Sequence, residues 1–176
     1  MGWSLNIGSV AGTAVRIHIT FLLFLGWIFG AAYVSGGAAS AWSGLIFILL
    51  VFLCVLLHEF GHIFAARAFG VKTPDVVLLP IGGVARLERI PEKPLQEFLI
   101  AIAGPAVNIV IALILIGFAG ADIGSNAAMA AIDNDKVSMV DRLATVNLFL
   151  ALFNLIPAFP MDGGRIFRAI VWKLTG

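Results

Sequence analysis

Polar and apolar residues are unevenly distributed along this chain. Four long apolar segments run from about Ile17 to Val34, Ser43 to Phe69, Phe98 to Ala119 and Leu143 to Phe159. A helix needs about 20 apolar residues, at 1.5 Å rise each, to cross about 30 Å of hydrocarbon. The second segment is longer than that and the fourth slightly short, so each is expected to depart from a straight span. Two other stretches read as strands. "WSLNIGSVAGTAVRIHI" alternates around Gly8 and Gly12, which predicts an N-terminal β-hairpin over about residues 1–16. "VVLLPIGGVARL" is an apolar run broken by Pro80 and the Gly82–Gly83 pair, which predicts a second hairpin over 76–87. The tail "RIFRAIVWKLTG" is too short to cross, and reads as a chain ending before another span or as a helix at the interface. The fold class expected is an all-α membrane bundle of about four transmembrane helices with short membrane-associated β-hairpins on the cytoplasmic side. It forms a single domain over 1–176.

Composition agrees. Of 176 residues, 61% are hydrophobic and 12% charged, against roughly 45–50% and 25% in soluble domains. The net charge of +1, with no basic or aromatic tract, gives no reason to expect a nucleic-acid partner. A single cysteine excludes an internal disulfide. The N-terminus lacks the basic region, apolar core and small-residue cleavage site of a removable signal. Charge also orients the segments. Arg67, Lys72, Arg86, Arg89 and Lys93 lie between the second and third, and Arg165, Arg168 and Lys173 follow the fourth. Only Lys136 and Arg142 lie between the third and fourth, among four aspartates. Because lysine and arginine accumulate on the cytoplasmic side, both termini and the second-to-third loop are expected inside.

The second segment contains His58, Glu59 and His62, ionisable groups that cost several kcal/mol at membrane depth without a partner or a task. His58 and His62 are four apart, on one helix face one turn from each other. His58-Glu59-Phe60-Gly61-His62 is an H-E-x-x-H pattern. In it two imidazoles bind zinc and the glutamate acts as general base towards a water. The alternative is a set of groups satisfied by hydrogen bonds inside the bundle, which three ionisable groups at this spacing disfavour. Cys54, one turn before His58, is a conceivable thiolate ligand but more ordinary as small hydrophobic packing. His18 reads as an interfacial group.

A catalytic zinc site normally takes three protein ligands and a water. Asp162, in "NLFLALFNLIPAFPMDGGR", is the best-placed carboxylate. Pro157 and Pro160 stop the helix, and Gly163 and Gly164 permit backbone that aims a side chain inward. An aspartate at an ordinary helix end is an equally simple reading of the residues alone. Asp75, Glu88, Glu92 and Glu97 sit among basic residues and read as solvated loop charges. Some 15 residues of helix from Ser43 span about 22 Å, placing His58 about 8 Å from the inner edge of the hydrocarbon. Asp162 reaches that same side after the fourth segment.

H-E-F-G-H in a second span, Asn154, Pro157, Pro160, Asp162, Gly163 and Gly164 at the end of a fourth, "GPAVN" at 104–108 and the "PIGGVARL" hairpin together resemble the site-2 protease family of intramembrane zinc metalloproteases. The resemblance covers roughly residues 10–170. It implies one Zn2+ held by His58, His62 and Asp162, with Glu59 activating its water. It also implies that Asn154 positions substrate or stabilises an oxyanion, alongside Pro157, Gly82 and Gly83 as substrate-binding or oxyanion positions. The hairpin would offer a strand edge to an unwound transmembrane substrate. Family members commonly have six spans, some with an inserted PDZ domain and others with a C-terminal CBS pair. The expectation is therefore a catalytic core ending before such parts, in a prokaryotic inner membrane. A membrane zinc carrier or sensor and an inactive binding module are the competing functions. A carrier needs a polar path that the first span lacks, and an intact Glu59 opposes an inactive module.

Overall fold

The computed structural model describes residues 3–86, 88, 93–123 and 137–175. Strands β1 (Ser4–Val10) and β2 (Thr13–His18) form the first hairpin around Ala11 and Gly12, both with positive φ. β3 (Asp75–Leu79) and β4 (Gly82–Arg86) form the second. The hairpins are not separate. β2 pairs parallel with β3, from Ala14 opposite Asp75 to Ile17 opposite Leu78, giving one sheet of order β1-β2-β3-β4. The buried Thr13 hydroxyl donates to the Thr73 carbonyl at 2.7 Å, and the Ala14 amide to that of Pro74 at 2.9 Å. Val15 and Val76 carry this sheet onto Phe60 and Ile63 of the long helix that connects its two halves. Residue 87, the expected end of the second hairpin, lies outside the described residues.

That helix, α1 (Ile19–Ala68), starts where the His18 ring nitrogen accepts from the Thr20 amide, so His18 is a helix cap. It is interrupted at Gly37, whose φ of 74° and ψ of −169° are open to glycine alone. There the chain reverses. Phe21 meets Phe52 edge-on at 4.4 Å and Phe29 meets Trp42 at 5.4 Å, contacts arranged symmetrically about residue 37. The first two expected segments are thus antiparallel arms joined by a single non-helical residue, where a longer connection over 35–42 was expected.

α2 (Pro94–Ala119) opens on Pro94, whose missing N–H costs nothing at a helix start, and closes on Gly120 in the left-handed conformation. α3 (Met139–Asn154) opens on Ser138, whose hydroxyl accepts from the Asp141 amide at 3.1 Å. The Asp141 carboxylate accepts in turn from the Asp122 amide at 2.9 Å, tying the end of α2 to the start of α3. The Arg142 guanidinium lies 3.9 Å above the Phe47 ring, and Asn147 lies beside Cys54. These contacts run α3 parallel to the second arm of α1. The expected fourth span, 143–159, is helical only to Asn154. An irregular turn follows, and then α4 (Asp162–Thr175).

Two helices, Ile19–Ala68 and Pro94–Ala119, are long and apolar enough to cross a membrane. Leu23, Trp27, Val34, Leu113, Phe118 and Leu152 are all more than half exposed. An apolar exterior of this extent is the signature of a lipid-facing surface. The molecule is a mostly helical membrane protein with one small sheet at one end.

Candidate metal centre

The second arm of α1 is continuous helix through residues 58–62, so the four-residue spacing stacks the two imidazoles, whose Nε2 atoms lie 3.1 Å apart. Asp162, the first residue of α4, reaches them from the other end of the fold. Its Oδ2 lies 3.1 Å from each Nε2. All three side chains are buried. Donors bound at about 2.0–2.1 Å around a tetrahedral ion stand about 3.3 Å from one another, so two imidazoles and a carboxylate at 3.1 Å fit zinc. Among the described residues this is the one group of three or more His, Cys, Asp or Glu side chains close enough to share an ion.

The surroundings fix these donors. His62 Nδ1 lies 2.7 Å from the Ile100 carbonyl, which only accepts, so Nδ1 carries the proton and Nε2 turns its lone pair to the centre. Gly104 lies against the pair. A Cβ there would stand 2.2 Å from His62 Nε2 and 2.6 Å from His58 Nε2. Gly61 lets α1 approach α2 equally closely, since its Cβ would meet the Ala103 carbonyl at 2.8 Å. Gly163 does the same for the carboxylate, with the Leu155 and Ile156 carbonyl oxygens 2.3 Å from where its Cβ would be.

Glu59 stands outside the donor triangle, against β4. A Cβ on Gly83 would lie 2.6 Å from Glu59 Cγ and 3.1 Å from Glu59 Oε1. β4 is an edge strand of the sheet, and this carboxylate packs against it at Gly83. Gly82 holds the turn at a φ of 135°. Asn154 donates to the Leu150 carbonyl at 2.9 Å, and Pro157 lies exposed in the turn before α4.

Other candidates have other tasks. Cys54 is buried beside Asn147, and Glu88 is exposed. Glu92 lies outside the described residues. Asp75 and Glu97 are not the solvated loop charges expected of them. Asp75 is buried in β3 between Arg16 at 3.5 Å and Arg86 at 3.6 Å. Glu97, 1% exposed, lies in the first turn of α2 and is paired with Arg168 of α4. Local sequence hides this because the partner is 71 residues away. The close approaches of Gly104 and Gly83 were equally hidden as mechanism, although both glycines fall in recognised motifs.

The chain is 41% identical over its full length to a zinc metalloprotease of Methanocaldococcus jannaschii, covering 48% of that protein. It is 35% identical, again over its full length, to a putative zinc metalloprotease of Synechocystis, covering 46%. The chain thus spans about half the length of these relatives. Its fold superposes on the site-2 protease from Methanocaldococcus jannaschii with a TM-score of 0.71 at 38% identity, covering 99% of this chain and 74% of that one. Residues 46–132 and 122–176 match peptidase family M50. With its buried His58–His62–Asp162 triangle, the chain belongs to that family.

Proposed function

We propose that this chain is the catalytic membrane unit of an intramembrane zinc endopeptidase that cuts transmembrane segments of other membrane proteins. The observation that carries the reading is the triangle of His58, His62 and Asp162 donors, 3.1 Å on a side, with the Glu59 carboxylate next to it. These three residues hold the zinc. When bound, zinc supplies Lewis acidity, polarising the scissile carbonyl and making water a better nucleophile at neutral pH. Glu59 takes a proton from the attacking water and delivers it to the leaving amine. A substrate span must unwind first, because a helix keeps its own carbonyls in use. The free edge of β4, from Gly82 and Gly83 onward, takes the unwound segment by strand addition. Asn154, eight residues before Asp162, supplies an amide to the oxyanion by leaving Leu150. Pro157 shapes the turn beside it.

The chain passes the bilayer four times, with the two arms of α1, then α2, then α3 with its following turn. Both termini, the sheet and the metal centre lie towards the cytoplasmic side of a prokaryotic cell membrane. Arg16, Arg67, Lys72 and Arg86 around the sheet and Arg165, Arg168 and Lys173 on α4 support that orientation.

The test is Glu59→Gln in the purified chain, assayed for zinc content and for cleavage of a membrane-spanning peptide in a bilayer. Cleavage should fall by about 10³-fold, within the range for losing a general base, with one zinc retained. Cleavage that survives the substitution refutes the reading. Zinc flux that continues through the variant without cleavage by either protein selects a carrier instead.

A further inference from the structure

Glu97 and Arg168 take no part in the chemistry just described, yet their pairing is unusual. The Glu97 side chain is 1% exposed, at the base of an apolar helix. Two nitrogens of the Arg168 guanidinium converge on one of its oxygens, Nε at 3.1 Å. The Arg168 side chain is 58% exposed, so the pair is half-buried, with the carboxylate inside and the guanidinium towards the surface. Such a pair adds little adhesion, because the carboxylate must still be desolvated. Its best-attested use is to select one register between packed elements.

Register is what the metal centre requires of α4. Helix α4 packs chiefly on α2, and it meets the imidazoles of α1 through Asp162 itself. The position of Asp162 relative to His58 and His62 is therefore relayed through α2. One stripe of α2 carries this route, beside the turn that sets Gly163 against the Leu155 and Ile156 carbonyls. Glu97 holds Arg168, the Ile100 carbonyl holds His62, and Gly104 makes room for both rings. The spacings match. Asp162 and Arg168 are about 9 Å apart along α4, and Gly104 and Glu97 about 10.5 Å apart along α2. The helices run antiparallel with Asp162 level with Gly104 and Arg168 level with Glu97. A slip of one turn, about 5.4 Å, would carry the carboxylate out of reach of any ion held by the imidazoles.

We propose that the Glu97–Arg168 pair is a positioning device that sets the register of α4 on α2, and through it the affinity of the metal centre. The proposal rests on His58, His62 and Asp162 being the zinc ligands. Neither Glu97 nor Arg168 belongs to the donor triangle.

The experiment uses the whole chain in lipid nanodiscs. Zn2+ affinity is measured by chelator competition, ligand geometry by the visible spectrum of Co2+, and stability by thermal melting. The variants are Arg168→Gln, Glu97→Gln, the double variant, Arg168→Lys and a His58→Ala/His62→Ala control. Each single Gln variant should weaken zinc binding by about 10–100-fold, the range for groups that orient ligands from outside the first shell. Arg168→Gln should also melt earliest, because it leaves Glu97 buried and unpaired. The double variant should regain the melting temperature while keeping weak zinc binding and an altered Co2+ spectrum. Arg168→Lys, charged but without the planar fork, should lie between it and the wild type and folds if Arg168→Gln does not. Zinc affinity that recovers together with the melting temperature in the double variant would reduce the pair to a brace and overturn the proposal. So would affinity within threefold of wild type in both the double variant and Arg168→Lys. A wild-type chain binding zinc no better than the His58→Ala/His62→Ala control overturns the metal centre itself, and the proposal with it.

Discussion

The two halves of the metal centre are built by different means. His58 and His62 stand on one uninterrupted stretch of α1, and helical periodicity alone brings their nitrogens to 3.1 Å. Asp162 comes from 104 residues beyond His58, at the start of a 14-residue helix behind a turn that contains two prolines. The imidazoles need only room and one acceptor, which α2 gives through Gly104 and the Ile100 carbonyl. The carboxylate needs the whole path of the chain to be right. Its turn closes so tightly that Gly163 lies on the carbonyls of Leu155 and Ile156. A helix can write two ligands into five residues of sequence. A third from another element depends on packing, and packing at this density needs glycine where backbones meet.

That contrast predicts different failures for the same chemical change. Gly104→Ala should have the largest effect on the centre. Its Cβ would stand 2.2 Å from His62 Nε2 and 2.6 Å from His58 Nε2, so both rings must turn. Zinc affinity by chelator competition should fall by about 100-fold, the upper end for changes just outside the ligand shell, with thermal stability little changed because only side-chain ends need move. Gly163→Ala should reverse the order. The atoms it meets are backbone oxygens at 2.3 Å, which no rotamer change can clear. Overpacking of this kind costs about 1–3 kcal/mol, so melting temperature should drop clearly, with zinc binding weakened by about tenfold as α4 shifts. If both variants lose zinc and stability in the same proportion, the two halves are not held independently and the contrast fails.

The same division explains what could be read from sequence. The H-E-x-x-H pair, the four apolar segments and both hairpins follow from periods of 3.6 and 2 and from turn residues, which are local signals. The union of the hairpins into one sheet was not legible, because parallel pairing of Ala14 with Asp75 leaves no mark within either strand. The tight reversal at Gly37 was blurred for another reason. "SGGAAS" reads as a loop, while hydrocarbon favours helix wherever a backbone donor can be satisfied internally. Charge misled at Glu97 and Asp75. Each lies near basic residues in sequence, yet each is buried against arginines supplied by the fold, Arg168 for one and Arg16 with Arg86 for the other.

A smaller effect, confined to chemistry, is expected where the sheet meets the site. Gly83 of β4 is so near Glu59 that an added Cβ would lie 2.6 Å from Cγ and 3.1 Å from Oε1. Here the obstructing atoms belong to a flexible side chain, so in Gly83→Ala the glutamate should yield and the strand should stay. The imidazoles and Asp162 are untouched, and zinc affinity and melting temperature should match wild type. A general base displaced by about 1 Å can lose up to 10²-fold in rate. With partial recovery by rotation, a fall of about tenfold in kcat is expected, at unchanged KM. The split decides what the glycine is for. A raised KM with kcat intact would mean that Gly83 serves strand pairing with the substrate. A fall in kcat alone would show that the sheet edge and the base are set against one another by the absence of a single methyl group.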